Sequence, residues 1–168
     1  MPRKLENVLP RQIVALAARV VAENKAIGRR IVLAESCTGG LVAAALTEIA
    51  GSSAVLDRAF VTYSNEAKQQ CLGVSEDIID AFGAVSVACV YAMANGALAR
   101  CDADVAVAIS GIAGPDGGTE DKPVGTVVFA RMVRGEDKPF AEHRVFAEST
   151  RAGVRLQATL CALELLLP

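Results

Sequence analysis

The chain has no tryptophan, only seven other aromatics (five Phe, two Tyr) and a single histidine among its 168 residues. With aromatics at 4%, the core must be built from Ala, Val, Ile and Leu. One histidine, His143, removes any multi-histidine metal site and leaves one residue to supply the base of a Ser-His-Asp triad. Charge of one sign is also missing: 17 Lys plus Arg face 19 Asp plus Glu, a formal charge of -2. That balance gives no electrostatic footprint for DNA or RNA, so no nucleic-acid partner is expected. No apolar run approaches the roughly eighteen residues that span a bilayer, and Met1 to Lys25 carries charges throughout. The expectation is a cytoplasmic protein without a membrane partner. The five cysteines, Cys37, Cys71, Cys89, Cys101 and Cys161, are odd in number and form no CxxC pair, which argues against a disulfide framework or structural zinc.

What is present is an alternation of helical and strand signals. Arg11 to Ala26 has Ile13, Leu16 and Val20 at helical spacing. Arg30 to Glu35 is a short apolar run of strand length, and Leu41 to Ile49 is rich in helix formers. Arg58 to Tyr63 reads as a second strand, followed by helices over Asn65–Leu72, Ser75–Phe82 and Ser86–Arg100. Asp104 to Ile109 is a third strand; Val124–Val133 and Phe140–Ala147 form a late hairpin about the charged turn 134–138. Thr150 to Leu167 is a final helix, capped by Ser149 or Thr150. Its apolar residues occupy more than one stripe, which points to a homo-oligomer. The order predicts an α/β fold: one three-layer α/β/α domain over residues 1–168, with a mixed, mainly parallel sheet.

Three segments carry candidate chemistry. Glu35-Ser-Cys-Thr-Gly-Gly40 stands at a strand-to-helix junction, where open α/β sheets collect ligands. Gly39 and Gly40 admit a ligand close to the backbone, while Ser36 and Thr38 set hydroxyls beside free helix N–H groups. Capping of the helix by either hydroxyl explains the same residues. Tyr63-Ser-Asn-Glu-Ala-Lys68 follows the second strand, and Lys68 can act as a base for a serine only if burial or a nearby cation lowers its pKa. On its own it reads as a surface charge. Ser110 to Gly125 packs five glycines and two prolines into sixteen residues, a loop suited to presenting amides to a ligand, with Lys122 available to an anion.

ESCTGG (Glu35–Gly40), VTYSNEAK (Val61–Lys68), LGV (Leu72–Val74), GAVS (Gly83–Ser86) and SGIAGPDGGTEDKPVGTV (Ser110–Val127) occur in this order. Together they resemble the C-terminal domain family of the competence/damage-inducible protein CinA, from roughly Leu16 to Leu166. The resemblance implies hydrolysis of the carboxamide of nicotinamide mononucleotide to nicotinate mononucleotide and ammonia, with no metal and no cofactor. It places Ser36 as nucleophile, with Thr38 as the competing hydroxyl, Lys68 as proton carrier, and helix N–H groups around the oxyanion. Tyr63 would meet the pyridine ring, Asn65 the carboxamide, and the loop bearing Ser110, Gly111, Gly114, Gly117, Gly118 and Lys122 the ribose phosphate. Arg151 and Arg155, one helical turn apart, would clamp that phosphate. Cys37, though intrinsically the better nucleophile, is expected to point to the other side. Two positions depart from the family pattern: Val87 stands where Glu is common, and Asp57-Arg58-Ala59 where glycines are. Two other readings stay open, a pyridine-nucleotide sensing module without turnover and a cysteine hydrolase using Cys37 with His143.

Overall fold

Residues 6–147 and 150–168 are described by the computed structural model of the chain. Its elements are α1 (Arg11–Ala26), β1 (Ile31–Glu35), α2 (Leu41–Thr47), β2 (Leu56–Val61), α3 (Asn65–Leu72), α4 (Glu76–Phe82), α5 (Val87–Leu98), β3 (Val105–Gly111), β4 (Thr126–Val133), β5 (Phe140–Val145) and α6 (Arg151–Leu165). Ser64, Ser75, Ser86 and Thr150 cap α3, α4, α5 and α6, each accepting a backbone N–H three residues on. Removing such a cap costs about 1 kcal/mol, which explains why these helices begin where they do. The predicted starts at Ser75 and Ser86 are therefore the caps, one residue ahead of the helices; Ser149 lies outside the described residues.

The strands form one sheet in the order β2-β1-β3-β4-β5. β1, β2 and β3 pair in parallel, while β4 is antiparallel to β3 and β5 to β4. Four of the five strands thus run one way and only β4 is reversed, the expected mixed sheet. Side chains alternate between its faces with period two. Ile31, Leu33, Val107, Ile109 and Phe129 pack under α1, α2 and α6. Val32, Ala34, Ala106, Ala108 and Ala130 pack under α3, α4 and α5. All five residues of β1 are buried because both faces are covered. The second stripe, Leu156, Leu160, Leu163 and Leu167, is engaged within the chain: Leu163 is fully buried and the other three pack against the first core.

The second face is floored mainly by alanine, so the small residues of α5 approach it closely. Gly96 of α5 lies against α3, where an added Cβ would overlap the backbone carbonyl of Leu72. Backbone cannot yield as a side-chain tip can. Gly96→Ala is therefore expected to lower stability by about 3 kcal/mol, read as a lower urea midpoint with unchanged slope.

From β1 the chain crosses to β2 on one side, and β3 lies on the other. This divergence opens a crevice at the carboxyl ends of β1 and β3, the usual ligand position in such sheets. Among the described residues, no helix is long and apolar enough to cross a membrane.

Candidate active site

A cleft of about 230 Å3 occupies that crevice. Ser36 is the first residue past β1. Its N–H extends the ladder to the Ile109 carbonyl at 3.0 Å, and the Thr62 N–H reaches the Glu35 carbonyl at 2.9 Å. The carboxyl ends of β1, β2 and β3 are thereby tied together. Because β1 and β2 are parallel neighbours, Ser36 and Tyr63 leave the sheet on the same rim, and Lys68 in the first turns of α3 folds back beneath both.

Lys68 is 1% exposed. Its Nζ lies 3.2 Å from Ser36 Oγ and 2.9 Å from the Thr62 carbonyl. No carboxylate shares a salt bridge with it among the described residues. Burial lowers its pKa from the ordinary 10.5, with weaker opposing contributions from Cys89, Cys37 and Glu66. An amine whose pKa burial lowers, within hydrogen-bond distance of a hydroxyl, is placed to remove that hydroxyl's proton.

The cleft brings together Ser36, Cys37, Tyr63, Asn65, Lys68, Ser110, Gly111 and Arg151 of the predicted residues. Arg151 Nη1 donates to the Gly114 carbonyl at 2.8 Å and Nη2 to the Tyr63 hydroxyl at 2.7 Å, tying the glycine-rich loop to the Tyr63 side of the cleft. Arg151 and Lys68 are the basic residues of the lining and no carboxylate lines it, so an anionic ligand is favoured. Sequence reasoning missed Ala84, Val85 and Ala113, which complete the lining. The available signals were the GAVS segment for Ala84 and Val85, held in place where Ser110 Oγ donates to the Ala84 carbonyl at 2.8 Å, and the glycine-rich segment for Ala113. Gly111 earns its place sterically: a Cβ there would come within 3.1 Å of Cys37 Sγ and closer still to β4.

Several expectations are corrected. Thr38 is fully buried outside the cleft, and its hydroxyl donates to Glu35 Oε2 at 2.7 Å. It supports the turn and is not presented to a ligand. The free helix N–H groups expected at α2 are occupied. Those of Gly40 and Val42 donate to Glu35 Oε2 at 2.9 and 3.3 Å, and that of Ala43 to Oε1 at 2.9 Å. The Gly39 N–H donates to the Ser36 carbonyl. Gly39 and Gly40 serve the backbone instead, with φ of +61° and +94°, a region that favours glycine. Arg155 does not line the cleft beside Arg151; its Nε and Nη2 donate to the carbonyls of Cys37 and Thr38, both at 3.1 Å. Lys122 Nζ donates to the Phe82 carbonyl at 2.8 Å and ties the glycine-rich loop to the end of α4. Gly114, Gly117 and Gly118 belong to that loop but not to the cleft wall.

Cys37 is among the residues that line the cleft, but its buried side chain belongs to the core under α1, α2 and α6, and burial pushes its thiol up to about 11, so little thiolate exists near neutrality. His143 sits on β5, three strand spacings or about 14 Å from β1, too far to activate that thiol. The cysteine-hydrolase reading therefore fails on geometry. Among the described residues, no group of three or more His, Cys, Asp or Glu converges to hold a metal.

Known proteins bear on this cleft. The nicotinamide-nucleotide amidohydrolase PncC of Escherichia coli (strain K12) is 52% identical over 156 residues, covering 92% of this chain and 93% of that protein. PncC of Enterobacter agglomerans is 51% identical over 149 residues, 89% and 90% of the two chains. The crystal structure of the competence/damage inducible protein CihA from Agrobacterium tumefaciens superposes with a TM-score of 0.91 at 46% identity, covering 95% of this chain and 96% of that one. The family model for the CinA C-terminal domain matches residues 13–168. The chain is thus a member of the CinA C-terminal domain family.

Proposed function

We propose that the protein hydrolyses the carboxamide of nicotinamide mononucleotide to nicotinate mononucleotide and ammonia, with Ser36 as nucleophile and Lys68 as proton carrier. The observation that carries this reading is the buried Lys68 Nζ at 3.2 Å from Ser36 Oγ on the floor of a cationic cleft. The likeness to nicotinamide-nucleotide amidohydrolases more than half identical supports the substrate.

Ser36 Oγ attacks the amide carbon while its proton passes to Lys68 Nζ, and the carbonyl pair moves onto oxygen. Collapse breaks the C–N bond as Lys68 returns the proton to nitrogen, releasing ammonia and leaving an ester on Ser36. Water then attacks the ester, Lys68 takes its proton, and collapse restores the Ser36 hydroxyl and frees the nicotinate. Every proton in the sequence has a carrier within the chain. In this pose Asn65 faces the carboxamide, Tyr63 and Val85 the pyridine ring, and Arg151 the phosphate.

Ammonia release from nicotinamide mononucleotide by the purified protein tests the reading. Thermal stabilisation by the mononucleotide with no ammonia would instead indicate a sensing module that binds without turnover. Arg151→Met should raise KM for the mononucleotide roughly 10–100-fold with little change in kcat, since charge-assisted hydrogen bonds to the phosphate are lost. The same substitution should leave any turnover of the corresponding nucleoside, which lacks the phosphate, unaltered. Equal effects on both would remove Arg151 from the phosphate.

A further inference from the structure

Lys68 finds no matching charge inside the fold. Its Nζ is within hydrogen-bond reach of three neutral carbonyls where β2 passes into α3: Thr62 at 2.9 Å, Tyr63 at 3.4 Å and Ser64 at 3.5 Å. The remaining contact, Ser36 Oγ at 3.2 Å, is a hydroxyl of the cleft lining. At 1% exposure the ammonium form has given up nearly all of its water, and no carboxylate forms a salt bridge with it among the described residues. The ionisable groups around it are Cys89 on α5, Cys37 on the turn after β1 and Glu66 on its own helix. Burial pushes both thiols up, so neither supplies an anion near neutrality. Glu66 is exposed and stands outside the cleft lining.

A neutral carboxamide leaves the Lys68 charge unmatched. Hydrolysis changes this. Once water has cleaved the ester, the acyl group leaves Ser36 as a carboxylic acid beside the Lys68 amine. The acid O–H bond breaks, its proton forms a new N–H bond on Nζ, and a carboxylate faces an ammonium. The positively charged ring and the phosphate are common to both mononucleotides, so the exchange of amide for carboxylate is the one difference available to Lys68. In a site poor in water such a charge pair binds more strongly than a hydrogen bond between neutral groups.

Resting on the amide-hydrolysis reading, we infer that the cleft holds its acid product, nicotinate mononucleotide, more tightly than the carboxamide, with the carboxylate on Lys68 Nζ and the phosphate on Arg151, so that product competes with substrate. The lysine that carries protons in the reaction is thereby also the anchor of product inhibition. Sustained turnover then depends on a following reaction that consumes the acid nucleotide.

Calorimetric titration of Ser36→Ala, which keeps Lys68 and does not turn over, tests this with each mononucleotide from mildly acidic to alkaline pH. At the acidic end the affinity for nicotinate mononucleotide should exceed that for nicotinamide mononucleotide by at least about tenfold. The ratio should decline as pH rises through the lowered Lys68 pKa, since the free amine offers a carboxylate no charge. The phosphate titrates alike in the two nucleotides and cancels from the ratio. In Lys68→Met the two affinities should agree within about threefold. In wild type, added nicotinate mononucleotide should raise KM for ammonia release without lowering kcat. Equal affinities across the whole pH range, or a preference that Lys68→Met retains, would overturn the inference even with ammonia release intact. Absence of inhibition in wild type would overturn it equally, and needs no variant to fold. A wild type that releases no ammonia would defeat the amidase reading by itself, while a preference for the acid that disappears in Lys68→Met would still uphold the carboxylate site.

Discussion

Ser36→Ala is expected to abolish ammonia release from nicotinamide mononucleotide, by on the order of 10,000-fold or more, with the fold unchanged. The hydroxyl contributes one 3.2 Å contact to Lys68, which keeps the Thr62 carbonyl as acceptor, so melting should shift little. Thr38→Ala is the necessary companion. Thr38 donates to Glu35 and is shut away from the cleft, so its loss should lower the rate modestly while turnover persists. Mass spectrometry of enzyme quenched during turnover should show the nicotinate ester on wild type and none on Ser36→Ala. Retained activity in Ser36→Ala together with an inactive Thr38→Ala would move the nucleophile to Thr38 and contradict the geometry of the cleft.

Lys68→Met should lower kcat by at least about 1,000-fold and at the same time raise thermal stability. Both effects have one cause. Lys68 is buried without a carboxylate, and burial lowers its pKa below 10.5. Between that lowered value and 10.5 the unfolded chain binds more protons at this site than the folded one, so stability rises with pH across the window. Stability is lost as pH falls toward the folded value and stays low beneath it. Methionine removes the ionisable group, so the variant should gain stability at neutral pH and lose this part of the pH dependence. Wild-type kcat/KM should rise with pH through the same lowered pKa as Lys68 becomes the free amine. Lys68→Arg, which keeps the charge and cannot deprotonate, should be inactive and show no such limb. An active Lys68→Arg, or a Lys68→Met less stable than wild type at neutral pH, would remove the amine from its assigned role.

Much of this was legible in the sequence. Strand-length apolar runs after Arg30 and Asp104 and the alternation over Arg58–Tyr63 marked the three strands whose ends carry the site. Thr150, one of two candidates for the cap of the last helix, marked the start of α6, and the order of motifs marked the family. Burial of Lys68 was not legible, because a lysine among Glu66, Gln69 and Gln70 has the surroundings of a solvated helix face. Only the parallel pairing of β1 with β2 turns it inward. Glu35 and Arg155 were likewise hidden. A glutamate ending a strand and an arginine one turn from another arginine state nothing about which backbone atoms they will reach. Phosphate affinity was therefore assigned to both arginines, while the fold gives one to the cleft and one to the turn behind the nucleophile. Thr38 and the glycines after it looked ligand-facing for the same reason: motif position records proximity along the chain and not direction.

The reversal of β4 has an evolutionary reach. The glycine-rich segment is the tip of an antiparallel hairpin, whose register runs from Val105 opposite Val133 to Gly111 opposite Val127. That register is fixed by ladder hydrogen bonds and buried side chains below the tip, so the tip's length does not set where the strands pair. Insertions beyond Ala113 can recontour the mouth of the cleft without shifting Ser36 or Lys68, which hang from β1 and α3. A lineage can thereby change what it admits as a cassette, keeping the reaction centre constant while sampling new substrates.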